Sequence, residues 1–133
     1  MDIRVESGAI ETQVADAIVV GVFQGEAAPG GAAGAFDAAL GGQVRDVLAG
    51  GDLRGRIGET LTLYTRGAVP SPRVVLVGLG KREAFDQEGV RRASAAATSA
   101  ARNLGARHVA FAALDDAAGK VGAAPLAQAM VEG

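Results

Sequence analysis

The stretch VVLVGLGK, residues 74–81, contains the residue types of a nucleotide-binding turn, because four apolar β-formers run into two glycines and a lysine. A dinucleotide-binding fingerprint requires a third glycine three residues after the second, and Glu83 stands there. A P-loop requires four residues between its glycines and a Lys-Ser/Thr pair, and neither is present. We therefore interpret the stretch as a buried strand and its turn. The less favoured alternative is that Lys81 meets an anion beside the Gly78 and Gly80 amides.

The single histidine and a pair of aspartates are the other candidates for catalysis or metal binding. His108 would begin a strand, and nothing in the sequence places a carboxylate to orient it as a general base. We expect it at an edge or on the surface. Asp115 and Asp116 are adjacent on a predicted loop, and side-by-side carboxylates rarely converge on one metal without other ligands. We predict no catalytic residue and no metal ligand in this chain.

The remaining charges follow helical spacing, which favours solvated helix faces. We expect surface charge at three aspartates: Asp37, Asp46 and Asp52. Arg91, Arg92 and Arg102 mark a polar helix face, but no aromatic residues are interleaved with them to stack on bases. The formal net charge of -2 adds no general attraction for nucleic acid or an anionic membrane.

Five strands and three helices are predicted from the apolar patterns. The strands are expected at residues 1–7, 15–23, 59–65, 73–80 and 107–113, and the helices at 36–48, 86–104 and 125–133. Asp86 is the expected N-cap of the second helix, with Phe85 packing on Val90 as a hydrophobic staple and Gly105 as its C′ residue. The paired glycines Gly41-Gly42 weaken the first helix.

This order of elements predicts one α/β domain over residues 1–133, with a mixed, mostly parallel sheet and helices on both faces. The runs at 15–23 and 73–80 lack polar alternation, so both faces of those strands should be covered. The chain has no cysteine, which excludes disulfides and thiol chemistry. No apolar run approaches the length of a membrane span. We expect a cytoplasmic domain.

Three stretches resemble, in the same order, the N-terminal domain of the cytosol (leucyl) aminopeptidase family: ADAIVVGVF (15–23), FDAALGGQVRDVLAGGDLRGRIGETLTLY (36–64) and RVVLVGLGKREAFDQEGVRRASAAATSAARNLGARHVAF (73–111). In addition, LAQAMVEG (126–133) is similar to the family helix that leads toward the catalytic domain. The resemblance covers nearly the whole chain.

The resemblance implies an accessory domain of a hexameric metallo-aminopeptidase that removes N-terminal residues from peptides. In that family, a separate C-terminal domain binds two divalent metals, zinc or manganese, through Asp, Glu and Lys side chains. None of those motifs has a counterpart here, so we expect no cofactor in this chain and the metallopeptidase domain to be absent from it. The implied partners are that catalytic domain and neighbouring subunits of the homo-oligomer.

The same resemblance implies a fold similar to macro domains, which bind ADP-ribose, and therefore a candidate ligand cleft. Asp16 matches the adenine-contacting aspartate, and Gly30, Gly31 and Gly34 resemble a degraded form of the glycine-rich loop. The sequence departs after Val19, where macro domains continue with asparagines that hold the distal ribose. We expect a vestigial fold rather than a working site, since those hydrogen bonds are lost.

Two alternative functions stay open at this point. One is a stand-alone module that binds an ADP-ribose-type ligand in the cleft beside Asp16. The other is nucleic-acid binding through the arginines of the polar helix face.

Overall fold

The computed structural model describes residues 1–6, 8–26 and 28–112. Its strands and helices follow one another as β1 (Asp2–Glu6), β2 (Ala17–Val22), α1 (Gly31–Ala39), α2 (Gln43–Gly50), β3 (Thr60–Tyr64), β4 (Arg73–Gly78), α3 (Gln87–Asn103) and β5 (His108–Ala112). Short 3-10 turns lie at Ile10–Thr12 and Arg82–Ala84. The helix predicted at 125–133 and the Asp115-Asp116 pair lie outside the described residues.

The strands form one sheet in the order β1-β5-β2-β4-β3. All neighbouring pairs are parallel except β3 and β4, which are antiparallel. β2 lies near the centre, with Val20 opposite Leu76 of β4 and Ile18 opposite Ala110 of β5. The prediction of a mixed, mostly parallel sheet is therefore confirmed.

Helix α3 covers one face of the sheet. Val19, Val75 and Phe111 of adjacent strands face the helix in one core cluster. The helix contributes alanines spaced four residues apart, Ala93, Ala97 and Ala101, each with no exposed surface. Side chains spaced by one turn share a helix face, and their small size lets α3 lie close to the β-branched strand residues.

Helices α1 and α2 cover the opposite face. Alternate strand residues point there, and Ile18 and Leu76 join Phe36 and Val44 of the helices in a second core cluster. Both central strands are thus buried on both faces, as their continuous apolar runs predict. The result is three layers, helix, sheet and helix, which confirms the predicted fold class.

The ends of α3 are those that the sequence predicts. The N-cap carboxylate of Asp86 accepts the Gly89 N–H at 2.8 Å. Phe85 and Val90 are both buried in the α3 core cluster, as a staple requires. At the other end, Gly105 adopts the left-handed conformation with φ of 76° and donates its N–H to the Arg102 carbonyl.

The single helix expected over residues 36–48 is wrong, because the chain forms two helices there. Gly41 and Gly42 take φ values of 68° and 91°, which only glycine adopts without strain and which end α1 before α2 begins. Asp37, expected on the surface, is 6% exposed and stabilises the junction between α1 and α2. Its carboxylate accepts the Arg45 N–H at 2.9 Å and pairs with the Arg45 guanidinium at 2.8 Å.

Candidate functional site

The topology places its ligand crevice at the carboxyl ends of β2 and β4. These strands are adjacent and parallel, but β2 leads to α1 on one face while β4 leads to α3 on the other. Connections that diverge in this way open a crevice between the strand ends, and ligands of open α/β sheets bind there. Any part of the protein itself that lies in this crevice therefore restricts which ligands can bind there.

The chain places part of its own backbone in this crevice, through residues 53–58, which we call the crevice loop. The Gly80 N–H donates to the Gly55 carbonyl at 2.8 Å, and the Gly58 N–H donates to the Gly78 carbonyl at 3.1 Å. A Cβ atom on Gly78 would overlap the Arg56 carbonyl oxygen. At the start of the loop, Leu53 is fully buried in the core on the α1–α2 side.

Glu59 holds the crevice loop in this conformation. One carboxylate oxygen, Oε1, accepts three consecutive backbone N–H groups, those of Arg54, Gly55 and Arg56, at 3.0, 3.0 and 3.1 Å. Consecutive amides that converge in this way form a nest of the kind that binds anions in other proteins. Here the anion is a side chain of the same chain, so the nest is already occupied.

A cavity of about 120 Å³ lies beside the crevice loop, on the side of α1. Its walls come from the end of β2, the segment before α1 and one residue of α2, and its lining is Gly21, Val22, Phe23, Glu26, Pro29, Gly30, Gly31, Ala33, Leu48 and Arg82.

An ion pair borders this cavity. The Arg82 guanidinium binds the Glu26 carboxylate with two hydrogen bonds, of 2.8 and 2.9 Å, and lies 4.2 Å above the ring of Phe23. The ring of Phe23 in turn meets Phe85 edge to face at 5.3 Å. The hydrogen bonds from Arg82 lower the pKa of Glu26, and those to Glu26 raise the pKa of Arg82. Glu26 is therefore an ionised acceptor near neutral pH and not a general acid.

The structure does not bring the predicted cleft residues together. Gly30 and Gly31 line the cavity, while Gly34 lies within the first turns of α1, where an added Cβ would stand 2.8 Å from the Pro29 carbonyl. Asp16 directly precedes β2, so it lies at the other end of that strand from the cavity. At the usual rise per residue, it is about 17 Å from Gly21, the first β2 residue that lines the cavity.

The Asp16 carboxylate has a structural partner. Oδ2 accepts the N–H groups of Arg107 and His108 at 2.8 and 3.0 Å, where β5 begins. The hydrogen bond from the His108 amide, followed by that from Arg107, lowers the pKa of Asp16. Asp16 thus positions the start of β5.

The other polar candidates are dispersed. The amides of Gly78 and Gly80 donate to the backbone carbonyls of Glu59 and Gly55, so they are not available to bind an anion beside Lys81. His108 is exposed, as predicted, with Nδ1 3.3 Å from the Asp2 carboxylate. Arg91 pairs with Glu88 on an exposed face.

Sequence reasoning missed the groups that dominate the site. Glu26 and Arg82 are 56 residues apart, and no local pattern connects them. Glu59 lies only three to five residues from the amides that it accepts, but a short loop carries no periodicity that marks this contact. Among residues 1–6, 8–26 and 28–112, no three His, Asp or Glu side chains are grouped so that they could hold a metal ion. Nor does any helix in these ranges have the length and apolarity needed to cross a membrane.

Solved structures share this fold. The macrodomain of Mycobacterium tuberculosis DarG superposes with a TM-score of 0.77 over 98% of this chain and 88% of its own, at 17% identity. A Trypanosoma brucei macrodomain in complex with ADP gives 0.76, at 18% identity, covering 98% of this chain and 55% of its own. Tomato leucine aminopeptidase gives 0.68 at 22% identity, covering 98% of this chain and 27% of its own. At these identities the likeness concerns the fold alone.

Sequence comparison identifies the family. A probable cytosol aminopeptidase of Methylobacillus flagellatus is 39% identical over 104 residues, which are 78% of this chain and 21% of that protein. One from Alkaliphilus oremlandii is 31% identical over 114 residues, 86% of this chain and 23% of that protein. The chain thus spans about a fifth of the length of these curated relatives. The family model for the N-terminal domain of cytosol aminopeptidases matches residues 19–133, and the chain therefore belongs to the cytosol aminopeptidase family through that domain.

Proposed function

We propose that this chain is the accessory N-terminal domain of a cytoplasmic, metal-dependent leucyl aminopeptidase, and that it carries no catalytic residue. Its role is to contact the catalytic domain of its own polypeptide and neighbouring subunits of a homo-oligomer, a hexamer in the family. The observation that carries the proposal is the family match over residues 19–133 of a chain that spans about a fifth of its relatives.

The crevice supports a non-catalytic role. Where ligands of this topology bind, the chain places its crevice loop and the carboxylate of Glu59. The neighbouring cavity is lined by apolar side chains, by glycines and by the ion pair between Glu26 and Arg82. No nucleophile, base and oxyanion-stabilising group converge there, and acyl transfer or hydrolysis requires all three.

The two divalent metals of the proposed enzyme, zinc or manganese, do not fit the described part of this chain. Hard divalent metals require several oxygen or nitrogen ligands around one point. The carboxylates at the crevice are already committed to backbone amides or to arginine. We therefore assign the metals to the catalytic domain of the longer polypeptide, and no chemical step passes through the residues described here.

Peptidase assays on two proteins test the proposal. The chain of residues 1–133 and the longer polypeptide are purified in parallel and assayed on a leucyl peptide substrate with manganese or zinc. We expect turnover only by the longer polypeptide. Turnover by residues 1–133 that scales with manganese and survives rigorous removal of host peptidases contradicts the proposal.

The accessory role needs a readout of its own. The longer polypeptide and a version that starts after this domain are compared by mass in solution and by turnover per metal-loaded site. We expect removal of the domain to change subunit number or substrate selection while metal content is retained. Identical mass and identical turnover on long and short peptides overturn the accessory role.

A further inference from the structure

The free edge of β3 presents unpaired backbone groups at alternate residues. The Gly78 N–H donates to the Glu59 carbonyl and the Thr65 N–H donates to the Pro72 carbonyl, so odd-numbered residues of this segment bond to β4. Antiparallel ladders alternate with a period of two, and the N–H and C=O groups of Thr60, Thr62 and Tyr64 therefore point away from β4. Within the described residues none of them has a backbone partner, since β3 ends the sheet.

The two edges of the sheet differ in charge. β1, at the other edge, carries Asp2, Arg4 and Glu6 among its five residues. Charged side chains on an edge strand oppose pairing with another strand. β3, with the sequence TLTLY, carries no charge, no proline and no bulge. Of the two edges of the sheet that the structure describes, the β3 edge alone lacks these protections.

The β3 edge is also complementary to itself. If two copies pair antiparallel about a two-fold axis at Thr62, Thr62 faces its own counterpart and Thr60 faces Tyr64 of the second copy. All outward groups of the strand then find partners, and no like charges lie opposite each other. The Tyr64 side chain, 57% exposed in the single chain, gains a neighbour across the new strand pair. Two-fold symmetry is the commonest symmetry of homo-oligomers.

We propose that β3 is an interface at which a second copy of this chain adds its own β3, so that two five-stranded sheets become one. This inference rests on the assembly role proposed above and names the surface that serves it. The edge supplies main-chain hydrogen bonds, as in other strand-addition complexes.

Charged substitutions of Thr62, at the two-fold axis, test the inference. Thr62→Lys and Thr62→Glu each place like charges opposite each other, whereas an equimolar mixture of the two variants places opposite charges there. Sedimentation equilibrium of residues 1–133, up to about 1 mM because a single strand pair is a small interface, measures the association. Thr62→Val is the matched control, since it keeps shape and backbone N–H without charge.

We expect a concentration-dependent dimer for the unmodified chain and for Thr62→Val, monomers for each charged variant alone, and dimers again in their mixture. Circular dichroism confirms that each variant is folded. A chain that stays monomeric at about 1 mM, or charged variants that associate as well as the original, overturns the inference.

Amide hydrogen exchange supplies a measurement on the unmodified chain. We expect the amides of Thr60, Thr62 and Tyr64 to exchange more slowly as protein concentration rises. Protection that is equal at all concentrations means that another segment covers the edge, and this also overturns the inference. Neither failure touches the aminopeptidase proposal, which is tested by the turnover of the longer polypeptide.

Discussion

At the scale of single residues, Glu59 determines the conformation of the crevice loop. Its Oε1 accepts three amides, and Glu59→Ala leaves all three donors without that acceptor. We expect the free energy of unfolding to fall by about 2 kcal/mol, the usual range for hydrogen bonds to a charged group. Urea denaturation measures this. Glu59→Gln keeps a carbonyl acceptor and should lose less than half as much, so equal losses for both variants contradict the nest.

The ion pair between Glu26 and Arg82 makes stability depend on pH. Arg82 holds the pKa of Glu26 below its ordinary value of 4.5, so the stabilisation is fully present above pH 4.5 and is lost as the pH falls through the depressed pKa. We expect the stability difference between the original chain and Glu26→Gln to be greatest near neutral pH and to vanish in acid. The Arg82 side chain is 41% exposed and that of Glu26 is 33% exposed, so salt should reduce the stability difference. A difference that is independent of pH contradicts this role.

Residue roles could be predicted from sequence only where the partner is local. The cap formed by Asp86 was predictable because its partner, the Gly89 amide, is three residues away. The role of Asp37 was not, because helical spacing shows which residues share a face but not that a helix turns a corner at Gly41 and buries that carboxylate.

At the scale of elements, the contact between β4 and the crevice loop depends on the absence of a side chain at Gly78. We expect Gly78→Ala to destabilise the domain by roughly 3 kcal/mol or more, because its Cβ would overlap the Arg56 carbonyl and the backbone must shift. Thermal and urea unfolding measure the loss.

The matched control is Gly50→Ala at the end of α2, where an added Cβ meets only the Asp52 carboxylate at 3.9 Å. This substitution should be neutral or slightly stabilising, since alanine favours the helix. If the two variants unfold alike, the close approach of the crevice loop to β4 does not limit the fold.

The elements themselves were largely predictable. The strand positions followed from the apolar runs, and α3 followed from its caps and alanine-rich face. The path of residues 53–58 was not predictable, because loops carry no periodicity and this one is held by contacts to Gly78 and Gly80, more than twenty residues later.

At the scale of the whole molecule, we expect the macro-like fold to lack a macro-like ligand site. The crevice loop lies at the carboxyl ends of β2 and β4, and Asp16 binds the amides that begin β5. We expect calorimetric titration of ADP-ribose into residues 1–133 to give no saturable heat. A one-to-one isotherm with a micromolar Kd contradicts this prediction and would make the cavity beside Gly30 and Gly31 the site to mutate first.

The strand order has a consequence for how the chain is made. Within the described residues, β1 pairs only with β5. Ile3 lies opposite Val109, which comes more than a hundred residues later in the chain. On the ribosome, the first strand therefore emerges long before its partner exists, while β2, α1, α2, β3 and β4 can already assemble. β5 then enters between β1 and β2 and joins β1 to the rest of the sheet. Synthesis that stops before residue 108 leaves β1 without its partner strand, so the described sheet is complete only after β5 has been translated.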